Sequence, residues 1–478
     1  MRFALLALAL FFALAAPSSP QVGALHNALR LMRRASGPLW RSHLDEIADL
    51  YAGATVQRVH IEQQGERFML HRCLDDLCLG RFYDGADAAD MTINATPLPL
   101  DFLGKLARDG NALRLALSLA FLRSDFRAAG GQIALLAPAR PDELSLAVRA
   151  PNCSEMRLTF DRDGHLLAAR IGKAEYRFID DRRLGDLTLA WRILRNGSPY
   201  LVYQQRTVIA TPLLRPHPLA LDFTSSPVLL PYQRGAHIPV VRCEMAGIPL
   251  RCMVDSGTSV LAISVGLTER LHLNALTTFE VQGIGQYLTE VVEAPALSLG
   301  SASLPSARYV VLPDLQGSHY DIVLGTDFLA SARVEIDGPA RVLRLLPSTH
   351  RRLADGVPIA FEDLIPTISA HLNGLPARLL LDTGDESVIN LSGSFARAHR
   401  DLFHAKLSRI VRGVGGSSIE RIGVLAKFSV AGHTFTNLSI GSTARLESTT
   451  DGHIGSGLLD RFNIIFDYEH ARIALRTP

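Results

Sequence analysis

The sequence is short of several things. It carries five cysteines in 478 residues, and its 49 Lys and Arg stand against 47 Asp and Glu, a formal net charge of +2. A balance so near zero supplies no electrostatic basis for binding nucleic acid. The 16 histidines are scattered. None forms an HExxH pair and none lies at ligand spacing to a pair of cysteines, so no metal site is expected. The glycine clusters fit neither a dinucleotide-binding nor a P-loop pattern, and no organic cofactor is expected. Beyond the N-terminal run, no segment reaches the ~20 apolar residues of a membrane helix.

What is present is ordinary in amount and informative in order. With 47% hydrophobic and 20% charged residues, the chain is neither disordered nor collagenous nor a coiled coil. Its length allows about three domains. The 37 Gly and 25 Pro are enough to punctuate a strand-rich fold with turns. At the start, Arg2 precedes an apolar run over 4–16, and Ala13-Leu14-Ala15 fits a small-x-small cleavage site. Residues 1–15 therefore read as a signal peptide, which predicts an exported mature chain with no transmembrane segment, in a compartment that permits disulfides. In RCEMAGIPLRC, Cys243 and Cys252 flank a turn near Gly247, and a hairpin there would set them across from each other for a bridge. Cys73 and Cys78 are close enough in sequence to pair, which leaves Cys153 over.

The most informative feature is internal repetition. HIPVVRCEMAGIPLRCMVDSGTS, from His237, matches LIPTISAHLNGLPARLLLDTGDES, from Leu364. Ile238-Pro239, Gly247, Pro249 and Asp255-Ser256-Gly257 have counterparts 127 residues on at Ile365-Pro366, Gly374, Pro376 and Asp382-Thr383-Gly384. Later landmarks keep a different offset of 130: Gly283-Ile284-Gly285 with Gly413-Val414-Gly415, Gly325 with Gly455, Leu329 with Leu459, and Asp337 with Asp467. Two constant shifts separated by a three-residue insertion mark a duplicated unit. Within each copy an apolar run precedes the Asp, turn residues flank it, and no helical period is sustained, so the unit reads as strands.

An Asp-Ser/Thr-Gly after an apolar strand, then a Gly-x-Gly hairpin, then an apolar-Gly element with a short helix, is the order of the retropepsin-like aspartic proteases. The C-terminal half resembles two such units in tandem, similar to exported bacterial proteins of that type and to pepsins, where one chain supplies both lobes. The resemblance implies a mainly β fold: a two-lobed pepsin/retropepsin-like acid protease with lobes at 226–350 and 351–478. It implies an active site complete in a monomer, a peptide or unfolded protein as substrate, and a bacterial periplasmic setting. It makes Asp255 and Asp382 the catalytic pair, with the Ser256 and Thr383 hydroxyls bonding across the lobes. The segments 281–286 and 411–416, with Gly283, Ile284, Gly285, Gly413, Val414 and Gly415 at their tips, resemble flaps that cover bound peptide.

The chemistry of the residues agrees with that expectation. Hydrolysing an amide without metal or covalent intermediate needs a base to activate water and an acid to protonate the product, and two carboxylates sharing one proton can do both. Such a pair titrates together, so sequence does not say which member is acid and which is base. Gly257 and Gly384 lack Cβ and let the two Asp loops approach closely. One departure stands out. After Gly257 comes Thr258, a conventional hydroxyl, but after Gly384 comes Asp385. If it points inward, its charge raises the proton affinity of the pair; the alternative is that it faces solvent or caps a turn.

The N-terminal half, 16–225, alternates in the strand manner, and Asp163-Gly164 between two apolar runs signals a hairpin. A helix is expected over about 99–126, divided at Gly110. This β-rich domain with a helical insertion is faintly similar to LolA-like half-barrels. The Pro- and Ser-rich stretch 213–235 reads as a linker or crossing strand. The reading from sequence is an exported aspartic endopeptidase. The alternatives are a non-catalytic periplasmic peptide- or lipoprotein-binding protein on the same scaffold, and a self-processing zymogen cut near residue 220.

Overall fold

A computed structural model describes residues 19–478, apart from 37–38, 40, 53–54, 66, 75–76, 85–86, 100–104, 124–125, 152, 233–236, 316–319, 349–350, 403–404 and 444–449. The expected signal peptide, 1–15, lies outside the described residues. The fold is mainly β. It divides into two units. One gathers the described residues of 1–57, 62–66 and 103–212, and the other those of 58–61, 67–102 and 213–478.

In the first unit, strands from Gln132–Leu136 to Ser198–Ile209 form a continuous antiparallel meander, and the last pairs with His43–Ala52. The Asp-Gly signal is a hairpin: Met156–Asp161 turns into Leu166–Ile171, Gly164 has φ 94°, and the Asp161 carboxylate accepts the N–H groups of Asp163 and His165. The helix Ser19–Ser36 packs against the strand Leu187–Arg195, and the helix Lys105–Ser118 against Leu166–Ile171. Gly110 does not divide the second helix, contrary to expectation. Ala112, Leu113, Leu115 and Ala116 are all buried along one face. That burial outweighs the ~1 kcal/mol cost of one interior glycine.

The second unit holds the duplicated half as two lobes. In the first lobe, the hairpin Val240–Met245 and Ile248–Val254 is followed through Ala262–Ser264, Ala275–Gln282, Gln286–Ala294 and Ala307–Leu312 to Ile322–Leu324, which pairs in parallel with Ile248–Val254. The second lobe repeats the plan, with the hairpin Ile365–Leu372 and Leu375–Asp382 and a parallel neighbour, Gly452–Gly455. Alternate side chains explain why these segments are strands: Leu250, Cys252 and Val254 are buried on one, Ala377, Leu379 and Leu381 on the other. Between the lobes runs a six-stranded sheet, in which Arg333–Asp337 pairs antiparallel with Asn463–Asp467. Glu335 sits directly opposite Ile465, its own counterpart at the 130-residue offset. A local two-fold axis relating the copies therefore passes through this pair. One hydrophobic core, including Leu324, Phe328, Phe462 and Phe466, runs through both lobes.

The stretch 213–235 is a crossing segment: Asp222–Phe223 joins the first lobe's sheet beside Ala302–Leu304, and Val228–Pro231 edges the six-stranded sheet beside Val342–Leu346. Residues 67–102 also pack on the first lobe. Asn94 donates to the Arg308 carbonyl (3.1 Å) and accepts its N–H (2.8 Å). Thr92 and Asn94 donate to the fully buried Asp327 carboxylate at 2.5 and 2.9 Å. Cys243 and Cys252 form a disulfide, but diagonally: Val241 opposes Cys252 and Cys243 opposes Leu250, with a Cα separation of 6.0 Å across the bridge. Cys73 and Cys78 occupy facing register positions, and their side chains lie outside the described residues. No helix of the described residues is long and apolar enough to cross a membrane.

Candidate active site

Each candidate Asp stands where a buried strand ends against its parallel neighbour. Asp255 follows Ile248–Val254 and donates its N–H to the Leu324 carbonyl (3.1 Å); Asp382 ends Leu375–Asp382 in register with Gly455. The turn after each Asp is closed in the same way. Gly257 N–H donates to Asp255 Oδ1 at 2.8 Å, and Gly384 N–H to Asp382 Oδ1 at 3.0 Å.

The two loops interlock reciprocally. Ser256 N–H donates to Thr383 Oγ1 (2.9 Å), and Thr383 N–H donates to Ser256 Oγ (3.1 Å). The hydroxyls then donate onward, Ser256 to the Leu381 carbonyl (2.7 Å) and Thr383 to the Val254 carbonyl (2.9 Å). Both side chains are buried. Four hydrogen bonds thus join the lobes, two from each copy.

The glycines set the approach. A Cβ on Gly257 would stand 2.4 Å from Asp382 Cγ, and a Cβ on Gly384 would stand 2.4 Å from Asp255 Cγ. Each carboxyl lies against the other copy's glycine, in space that any other residue would fill, and the two carboxyls hydrogen-bond to one another. Burial, then the negative charge of Asp382, push the Asp255 carboxyl well above the usual range. Burial also raises Asp382, while the positive charge of His453 opposes the rise. Two carboxyls set this close cannot both ionise freely, so the pair holds a proton where isolated carboxylates would have lost it.

The equivalent residues after the turns keep equivalent backbone roles. The Thr258 carbonyl accepts the Thr326 N–H (3.1 Å) and hydroxyl (3.2 Å), and the Asp385 carbonyl accepts the Ser456 N–H and hydroxyl, both at 2.6 Å. Their side chains differ. Asp385 does cap its turn, accepting the Ser387 N–H at 2.7 Å and its hydroxyl at 2.9 Å. It also hydrogen-bonds the imidazole of His453. Burial works to raise the Asp385 pKa, but the bonds from His453 and Ser387 prevail and bring it to about 2. His453, 6% exposed, goes the other way: burial would lower it, and its bond to Asp385 lifts it above 6.5. Sequence reasoning passed over His453. The signal was the repeat itself, which sets it opposite Val323 in the first copy.

The two hairpin tips also meet. The strands Ala275–Gln282 and Gln286–Ala294 bracket Gly283, Ile284 and Gly285, and Ala405–Gly413 and Gly416–Val430 bracket Val414 and Gly415. Gly285 N–H donates to the Val414 carbonyl at 3.1 Å, and a Cβ on Gly285 would stand 2.0 Å from the Gly415 carbonyl oxygen. Only glycine permits that contact.

Fold and site together define a mainly β protein in which two copies of one unit each bring an Asp-Ser/Thr-Gly turn to a shared site. The family model described as aspartyl protease matches residues 241–328 and again 368–458, one match in each copy of the repeat. Among solved structures, a retropepsin-like aspartic protease from Rickettsia conorii is similar over 23% of this chain and 88% of its own, at 20% identity and a TM-score of 0.18. No curated protein matches the chain.

Proposed function

We propose that this protein is an exported aspartic endopeptidase whose catalytic groups are Asp255 and Asp382. The observation that carries the proposal is reciprocal packing: each carboxyl lies against the other copy's glycine, in hydrogen-bonding contact with its partner. In that arrangement the ionised carboxylate takes a proton from a water whose oxygen attacks the peptide carbonyl carbon. The protonated carboxyl gives its proton to the carbonyl oxygen. The tetrahedral diol then collapses: the C–N bond breaks, the nitrogen leaves with a proton from the first carboxyl, and a diol hydroxyl returns a proton to the second. Ser256 and Thr383 hold the loops together, and Gly257 and Gly384 keep the space between them open. An extended peptide between the hairpin tips and the pair would be held by backbone hydrogen bonds.

The lobes are 226–350 and 351–478, with 67–102 docked on the first. Self-processing near residue 220 would leave Thr92 and Asn94 bonded to Asp327, so release of the segment before the cut would have to break those bonds. The disulfide fits an exported, periplasmic setting. The likeness of the N-terminal unit to LolA-like half-barrels rests on its serial strands and the hairpin at Asp163-Gly164, and stays part of this proposal.

The test is digestion of a denatured protein from acid to neutral pH by the wild type and by Asp255→Ala and Asp382→Ala. Wild-type cleavage that falls by at least about 10²–10⁴-fold in each variant supports the assignment. Turnover retained in either variant removes that residue from the mechanism, and a wild type that binds peptide but never cleaves it overturns the enzymatic reading.

A further inference from the structure

The duplicated half-sites match almost bond for bond, and a symmetric pair of carboxyls gives its shared proton no reason to sit on one side. Asymmetry must come from what surrounds them. The first copy has Thr258 and Val323, both uncharged; the second has Asp385 and His453 at the equivalent positions. His453 lies on the strand Gly452–Gly455, which runs parallel to the Asp382 strand, with Leu380 directly opposite it. Its imidazole hydrogen-bonds Asp385, and Asp382, Asp385 and His453 each offer one oxygen or nitrogen, all within 4.8 Å of one another.

Resting on the reading of Asp255 and Asp382 as the catalytic pair, we propose that Asp385 and the buried His453 form a positioning element that keeps the shared proton on Asp255 and leaves Asp382 as the carboxylate that deprotonates water. An imidazolium beside Asp382 favours its charged form, and no cation occupies the equivalent place beside Asp255 among the described residues. Asp385 keeps that imidazole protonated while its own charge is tied up by His453 and Ser387. The titratable groups facing this cluster are few. His453 is influenced by Asp385, Asp382 and Glu420, the last of which is bonded by Arg409 and Asn390. Asp382 is influenced by His453, Asp385 and Asp255. Asp255 faces Asp382, with the phenols of Tyr320 and Tyr468 nearby. Asp382 feels the imidazolium more strongly than it feels Asp385.

The experiment gives the second copy the residues of the first. Asp385→Thr with His453→Val replaces the charged pair by the neutral pair that the first lobe already accommodates. Without the imidazolium, Asp382 holds a proton to higher pH. The acid limb of kcat/KM should move up by about one pH unit, a roughly tenfold loss on the acid side, with KM unchanged. A merely structural role would lower the whole profile and leave the limb in place, and that result overturns the proposal. If the double variant does not fold, His453→Asn removes the imidazolium alone, and the acid limb should again move up; a limb left in place overturns the proposal.

A second arm needs no turnover. In ¹⁵N-histidine-labelled protein, the His453 ring should titrate above ordinary histidine, and Asp382→Asn should lower its pKa more than Asp255→Asn does. A His453 neutral at pH 6, or equal responses to the two substitutions, overturns the proposal. Absence of cleavage in the wild type instead defeats the reading of the pair as catalytic, while the ring titration still reports whether Asp382 faces a cation.

Discussion

Thr383→Val isolates the bonds that hold the two lobes together. Valine keeps the β-branched shape and the volume of threonine but loses the hydroxyl. In the fold that hydroxyl belongs to a residue 2% exposed; it accepts the Ser256 N–H at 2.9 Å and donates to the Val254 carbonyl at 2.9 Å. The substitution therefore orphans one buried donor and one buried acceptor. At roughly 1–3 kcal/mol for each orphaned group, the expected loss is about 2–6 kcal/mol. Urea unfolding should show it as a lower midpoint with an unchanged slope. Ser256→Ala should behave alike, because it orphans the Thr383 N–H and the Leu381 carbonyl. Combined, the two should lose less than the sum by at least ~0.5 kcal/mol, since each variant already loosens the interface that the other's bonds span. Thr383→Ser, which retains both bonds, should stay within about 1 kcal/mol of wild type. A valine variant that loses under ~0.5 kcal/mol, or a serine variant as unstable as the valine one, would refute the reciprocal hydrogen-bonded link.

Three further predictions follow from the same geometry. Gly384→Ala places a methyl 2.4 Å from Asp255 Cγ and must push the carboxyls apart; peptidase activity should fall by about 10²-fold or more, while circular dichroism keeps its strand signature. Asp255→Asn removes a partly exposed carboxyl whose pKa desolvation and the charge of Asp382 raise. A carboxyl raised on folding costs stability as pH climbs past its unfolded value of 3.8, so the variant's melting temperature should exceed wild type increasingly towards neutral pH and converge with it in acid. Asn94→Ala removes two hydrogen bonds to Arg308 and one to buried Asp327, and should lower stability by roughly 2–4 kcal/mol in thermal or urea unfolding, whereas an independent N-terminal domain boundary near 225 would make the change nearly silent.

Much of the site was legible in the sequence because a duplication is a long-range contact written in one dimension. The offsets of 127 and 130 mark Asp255 with Asp382, Ser256 with Thr383, Gly257 with Gly384 and Gly285 with Gly415; in three dimensions Ser256 interlocks with Thr383, Gly285 meets Gly415, and each glycine of the Asp turns meets the other copy's Asp. Asp385 was visible as a departure from the repeat, but its partner was not. His453 is 68 residues away, on a strand brought to Asp385 by pairing in parallel with the Asp382 strand and antiparallel with Ile389–Ser392. The attachment of 67–102 to the first lobe was hidden for a similar reason: Thr92 and Asn94 are ordinary turn residues until Asp327 is packed beneath them. Gly110 shows the opposite limit, where local propensity argued for a break and burial of the neighbouring leucines and alanines kept the helix whole.

By itself, then, the sequence determined that one unit occurs twice, that the unit is built of strands, and which residues in the copies correspond. Periodicity and spacing record those facts because they concern neighbours along the chain and copies of one pattern. Only the tertiary structure decided how close the corresponding residues come, which charge stands beside which carboxyl, and which distant segment completes the first lobe. Those depend on strands brought side by side across the fold, where burial removes water and makes a single unmatched pair, Asp385 and His453, count for more than any spacing reveals.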